Sequence, residues 1–170
     1  MFSLPSPLHP ALVHFPIVLI LVGTMVAIVA IFFRRRFLPV LSAGVLAAAA
    51  LGTVAAAWTG GREEEMAGEV TPQAERALDE HEDWGLATRN ITLVAAALAT
   101  AAAVTLRWSR FSRGLAVLAA AASLWASFCV AQAGHYGGQV VYRYGIGVNA
   151  TTATPSSESI SGGQMGNDEH

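Results

Sequence analysis

The chain has no lysine, one cysteine, and no basic residue before Arg34. Without lysine, ten arginines carry all the fixed positive charge. Six of them sit at the ends of apolar runs, so no nucleic-acid-binding patch can form. The lone Cys129 excludes an intramolecular disulfide and a cysteine-rich metal site. Val130 and Ala131 follow it in place of a haem-attachment pattern, so any haem would be held without a covalent bond. Within its alanine-rich run Cys129 reads as a small packing residue. Charge is scarce as well: 13% of residues are charged and 54% hydrophobic, too apolar for a soluble domain of 170 residues unless most of the chain faces lipid. There is also no nucleophile-and-base pattern and no phosphate-binding glycine loop. Both absences argue against independent catalytic activity.

What is present is four long apolar runs, at residues 12–33, 37–58, 84–108 and 114–133. Each is near the ~20 residues needed to cross a hydrocarbon core. The runs are continuous rather than alternating, and backbone in lipid must satisfy its own hydrogen bonds, so the spans are helices. Tight turns follow the first and third runs. The expected fold is therefore all-α, an integral-membrane four-helix up-and-down bundle. Its alanine runs, such as Ala47–Ala50 and Ala55–Ala57, let helix backbones approach closely where packing drives association. Trp58, Trp84 and Trp108 fall at expected span ends, and Trp125 lies within the fourth run, where packing or a cofactor wall is expected.

Orientation follows from the arginines. The first connection holds Arg34, Arg35 and Arg36, and the third holds Arg107, Arg110 and Arg113, with no acid in either. All twelve carboxylates lie in the 60–83 segment or the C-terminal tail. The positive-inside rule makes the two arginine turns cytoplasmic and both termini extracytoplasmic, an N-out/C-out topology. The first run lacks a basic leader and is followed by its positive charge, the pattern of a retained span rather than a signal peptide.

The 60–83 segment is the one substantial loop. Thr71 followed by Pro72 is a helix start, with threonine as N-cap and proline at the first helical position. The helix is expected to run on toward the third span. The acidic run Glu63–Glu64–Glu65 reads as a solvated face. Residues 1–148 then form one transmembrane domain. Residues 149–170, rich in Ser, Thr, Gly and Asn, are expected to be a disordered tail.

The candidate chemistry is geometrical. His9 and His14 open the first span, His81 precedes the third, and His135 follows the fourth, so all four come to the outer end. Singly, each is most simply an interfacial or capping residue. Jointly they make a candidate metal set, His9, His14, His81 and His135, because imidazole binds haem iron, copper and zinc. His9 and His14 are about 140° apart on a helix, and Pro10 and Pro16 make a regular helix there doubtful. The favoured pair is His14 with His81, on diagonally opposite helices able to offer axial imidazoles to a flat haem b. Arg89, two turns inside His81, is a costly cation in lipid. It either snorkels to the headgroups or pairs with an anion such as a haem propionate. The glycines at 137–138 read as a tight turn beyond the last span.

Two motifs carry a family resemblance: Leu8-His9-Pro10 with Val13-His14-Phe15-Pro16, and Gly137-Gly138-Gln139-Val140-Val141-Tyr142 with Gly145-Ile146-Gly147-Val148. Over residues 8–148 the chain resembles the bacterial membrane family catalogued as domain of unknown function 2231. Members look like four-span inner-membrane proteins, and some are joined to cytochrome c or Rieske-type iron–sulfur domains. The resemblance implies electron transfer in the bacterial inner membrane, with a separate cytochrome c, iron–sulfur protein or larger membrane complex as partner. Three functions are thus expected to compete: a haem b electron-transfer subunit, a copper- or zinc-handling protein, and a cofactor-free structural subunit.

Overall fold

A computed structural model describes residues 9–33, 35–64 and 70–146. It contains four helices and, among the described residues, no strand: α1 His9–Phe32, α2 Phe37–Glu64, α3 Pro72–Val104 and α4 Ser109–Tyr142. All four are long and apolar enough to cross a bilayer. Consecutive helices pack side by side and α4 closes back onto α1, leaving α1 diagonal to α3. This is the up-and-down membrane bundle that the two short turns dictate. The expected disordered tail, 149–170, lies outside the described residues.

The interior is made of small side chains. Ala49, Ala95, Ala119 and Ala126 are essentially inaccessible, with Ile20, Leu46 and Cys129 the largest fully buried apolar groups. Large residues such as Phe15, Met25, Phe32 and Leu51 point outward. In lipid that distribution costs nothing, because tails solvate a phenylalanine as well as a protein core does, whereas close backbone packing requires small residues inside. Gly23 of α1 shows how close the approach is: a Cβ there would lie 2.6 Å from Leu46 Cδ2 of α2.

Buried hydroxyls are absorbed by the helices themselves. Thr92, fully buried, donates to the Thr88 carbonyl at 2.7 Å, and Thr88 to Trp84 at 2.8 Å. One hydroxyl also reaches across. Thr24 Oγ1 lies 2.8 Å from its own Ile20 carbonyl, 3.0 Å from the Ser123 carbonyl of α4 and 3.1 Å from Ser127 Oγ. At the far turn, Ser112 Oγ of α4 donates to the Ala102 carbonyl of α3 at 2.8 Å.

Several details differ from the sequence-based expectation. α1 is helical from His9 onward despite its prolines. Proline at position 10 falls in the first turn, where its missing N–H has no helical partner in any case. Pro16 sits inside the helix but is buried against α2, with Gly52 beneath it. α4 runs to Tyr142, so Gly137 and Gly138 are helical rather than a turn. Trp125 is 54% exposed and stacks on Phe128 at 5.2 Å, so it faces outward rather than lining the interior. Trp84 meets the same Phe128 edge-on at 5.8 Å, bridging α3 and α4. Glu63 and Glu64 close α2, and their side chains and Glu65 lie outside the described residues.

Candidate functional site

The end of the bundle where α1 and α3 begin and α2 and α4 finish carries the histidines. α3 starts as its residues dictate: Thr71 is extended, its Oγ1 accepts from the Ala74 N–H at 3.4 Å, and Pro72 takes the first helical position. The helix then continues unbroken into the membrane. Ala74, Ala77 and His81 share one stripe by their spacing, and both alanines are buried. The stripe delivers His81 to α4.

There the imidazole occupies a seat made by a missing side chain. A Cβ on Gly137 would lie 2.9 Å from both His81 Cε1 and Nδ1. Nδ1 is 2.8 Å from the Ala133 carbonyl one turn earlier on α4. A carbonyl can only accept, so Nδ1 carries the proton, and in the neutral ring Nε2 holds the lone pair. The ring is therefore fixed in both orientation and tautomer. Both His81 and His14 also have further interaction partners.

The remaining candidates are distributed around this seat. His135 is exposed on α4. Its Nε2 accepts from the Gln139 amide at 3.0 Å, and its ring meets Tyr136 edge-on at 5.3 Å. His14 is exposed on α1, and His9 is the first residue of α1, its side chain outside the described residues. Arg89 is half-buried and holds Asn90 Oδ1 with Nε at 3.2 Å and Nη2 at 3.1 Å. Among the described residues no three or more His, Cys, Asp or Glu come close enough together to hold a metal ion.

Helix lengths set the levels. With α3 counted from Val104, Arg89 lies about 22 Å and His81 about 35 Å along the axis at 1.5 Å per residue. Across a hydrocarbon core of about 30 Å, Arg89 is then inside the boundary by roughly one arginine length and His81 just beyond it. On the same count His135 lies about 39 Å along α4, and His14 about 27 Å along α1.

Sequence reasoning found the histidines but missed the seat. The glycine pair before Gln139 was the available signal, and it looked like a turn because glycine is costly in helices. The Thr24 contact with α4 had no signal at all, since serines and threonines are scattered through all four spans.

A family model described as predicted membrane protein (DUF2231) matches residues 5–150. No curated protein and no solved structure is found to match the chain.

Proposed function

The chain belongs to that family of predicted membrane proteins, and we propose that it is a small electron-transfer subunit that holds haem b at the histidine end of the bundle. The observation that carries this reading is the His81 imidazole, whose Nδ1 is tied to the Ala133 carbonyl at 2.8 Å. Iron-bound histidines characteristically give their second nitrogen to such an acceptor, which fixes the ring and raises its basicity. Haem also suits the donor set. The porphyrin supplies four nitrogens of its own and asks the protein for one or two imidazoles. A structural zinc site asks for four side chains, and a catalytic one for three. Among the described residues no group of three such side chains comes together, and haem is the reading that asks for the fewest of them.

His81 hydrogen-bonds to α4, the neighbour of α3, through the Ala133 carbonyl and packs on Gly137. A haem ligated by His81 would therefore sit at the mouth of the bundle, where His14 or His135 could serve as a second ligand. Arg89, about 12 Å further in along α3, could face a propionate. When bound, haem would supply one-electron chemistry, and the protein's part would be ligation and orientation. By the positive-inside asymmetry, the histidine end and both termini face outward from the bacterial inner membrane, where a separate cytochrome c or iron–sulfur protein could dock.

A second reading rests on the same contact. The Gly137–His81 fit also clasps α3 to α4 outside the hydrocarbon, which is what a cofactor-free structural subunit of a larger membrane complex would need. The test is a reduced-minus-oxidised visible spectrum of protein purified in mild detergent from cells supplied with haem, with iron, copper and zinc measured alongside. A sharp reduced band that His81→Ala abolishes supports haem. A flat spectrum with stoichiometric copper or zinc moves the site to metal handling. Neither leaves the clasp.

A further inference from the structure

The opposite end of the bundle, where α1 and α3 finish and α2 and α4 start, is independent of the histidines. Arg35 and Arg36 lie between α1 and α2, Arg107 lies between α3 and α4, and Arg110 and Arg113 open α4. All five are exposed. Every carboxylate of the four helices belongs to the other end, since residues 9–62 and 84–146 contain no aspartate or glutamate.

The backbone that carries these arginines is held in place. The Arg35 N–H donates to the Phe33 carbonyl at 2.8 Å, and the Arg35 carbonyl accepts from the Leu38 N–H at 3.1 Å. The Trp108 N–H donates to the Thr105 carbonyl at 2.8 Å, and the Arg107 guanidinium lies over the Trp108 ring, 4.5 Å from its centre. Like charges gathered at one end repel one another, and the chain supplies no anion there to offset them.

The neighbouring side chains decide which anion fits. Phe32, Phe33, Phe37, Trp108 and Phe111 flank the arginines and are 55–75% exposed. A free phosphate or a soluble acidic protein would meet the arginines and leave the rings uncovered. A phospholipid meets both, because its chains cover the rings while its phosphate accepts from the guanidiniums. We propose that this rim is a binding surface for anionic phospholipid. A zwitterionic lipid brings its own cation beside the phosphate, so the arginines select a headgroup of net negative charge.

Native mass spectrometry of the full chain in detergent tests this, by titration with phosphatidylglycerol and with phosphatidylcholine of the same acyl chains. Phosphatidylglycerol should bind at least about ten times more tightly, a ratio that two arginines at a charged surface suffice to give. The combined Arg35→Gln, Arg36→Gln, Arg110→Gln and Arg113→Gln variant should bring the ratio close to one. Arg62→Gln with Arg143→Gln, at the histidine end, should leave it unchanged. Equal binding of the two lipids by the parent, or an equal loss of preference in the histidine-end variant, overturns the proposal. Displacement of the lipid by an equimolar amount of inorganic phosphate also overturns it, assigning the rim to a free anion. Should the fourfold variant fail to fold, the parent at rising ionic strength decides. The preference should fall steeply with salt, and a preference indifferent to salt overturns the proposal.

Discussion

Gly137 of α4 and His81 of α3 fit as socket and plug: the imidazole lies where a side chain at 137 would begin, with only 2.9 Å to an added Cβ. Nothing within 4 Å would meet a Cβ on the adjacent Gly138. The pair therefore separates two roles of helical glycine. Gly138→Ala should stabilise the protein by about 0.5–1 kcal/mol, the ordinary gain of alanine over glycine in a helix. Gly137→Ala should instead destabilise it by about 1–3 kcal/mol, the cost of overpacking a fixed contact. Thermal unfolding in detergent, following helicity, measures both. Equal gains at the two positions would show that His81 is not seated.

That contact also shows where sequence reading stops. The four spans were legible because lipid imposes a continuous run of apolar residues, and the α3 start because Thr71–Pro72 is a local signal. The extension of α4 through Gly137 and Gly138 was not legible. Local propensity argues against glycine there, and the compensating gain comes from a histidine more than fifty residues away. Pro16 inside α1 was obscured for a similar reason, since its burial depends on Gly52 of another helix. The histidines' common end followed from topology alone, but the direction of the His81 ring depended on an absent side chain across the interface.

His81→Asn separates ligation from clasping. An asparagine amide can still donate to the Ala133 carbonyl, but it is a poor ligand for haem iron. The variant should retain most of the thermal stability of the parent and lose the haem band. His81→Ala should lose both, at roughly 1–3 kcal/mol for the unpaired and unfilled site. Should His81→Asn keep a full haem complement, the iron ligand lies elsewhere. Should neither parent nor variants bind haem, the stability difference between Asn and Ala still reports on the clasp.

Between α1 and α2 the critical pair is Gly23 with Leu46. A methyl at position 23 meets Leu46 Cδ2, the far end of a branched side chain, at 2.6 Å. Gly23→Ala should cost about 1–3 kcal/mol because Leu46 is wholly buried and has no room to turn. Leu46→Ala alone should cost about 2–5 kcal/mol through the cavity it leaves. Together the two changes should cost less than their sum, since the new methyl occupies part of that cavity. A double-mutant cycle of unfolding free energies measures the coupling, and strict additivity would mean the two helices do not meet here.

Thr24 provides the polar contact between α1 and α4, which otherwise pack less extensively than the sequential neighbours. Its hydroxyl has its own Ile20 carbonyl as one acceptor and Ser123 of α4 as another, at 2.8 and 3.0 Å. Because an intrahelical acceptor is always available, the cross-helix component is worth little, on the order of 0.6 kcal/mol as for hydrogen bonds inside other membrane bundles. Thr24→Val keeps the shape and removes the hydroxyl, so it should lower stability by about that amount. Ser127→Ala in the Thr24→Val background should add little, since its hydrogen bond to Thr24 has gone and the remaining loss is its intrahelical bond to the Ser123 carbonyl. Thr24→Ser should behave as the parent does. The sharper readout is local: amide exchange in α1 should rise in Thr24→Val and stay unchanged in α2 and α3. A uniform rise across all four helices would place the effect in general packing, not in the α1–α4 contact.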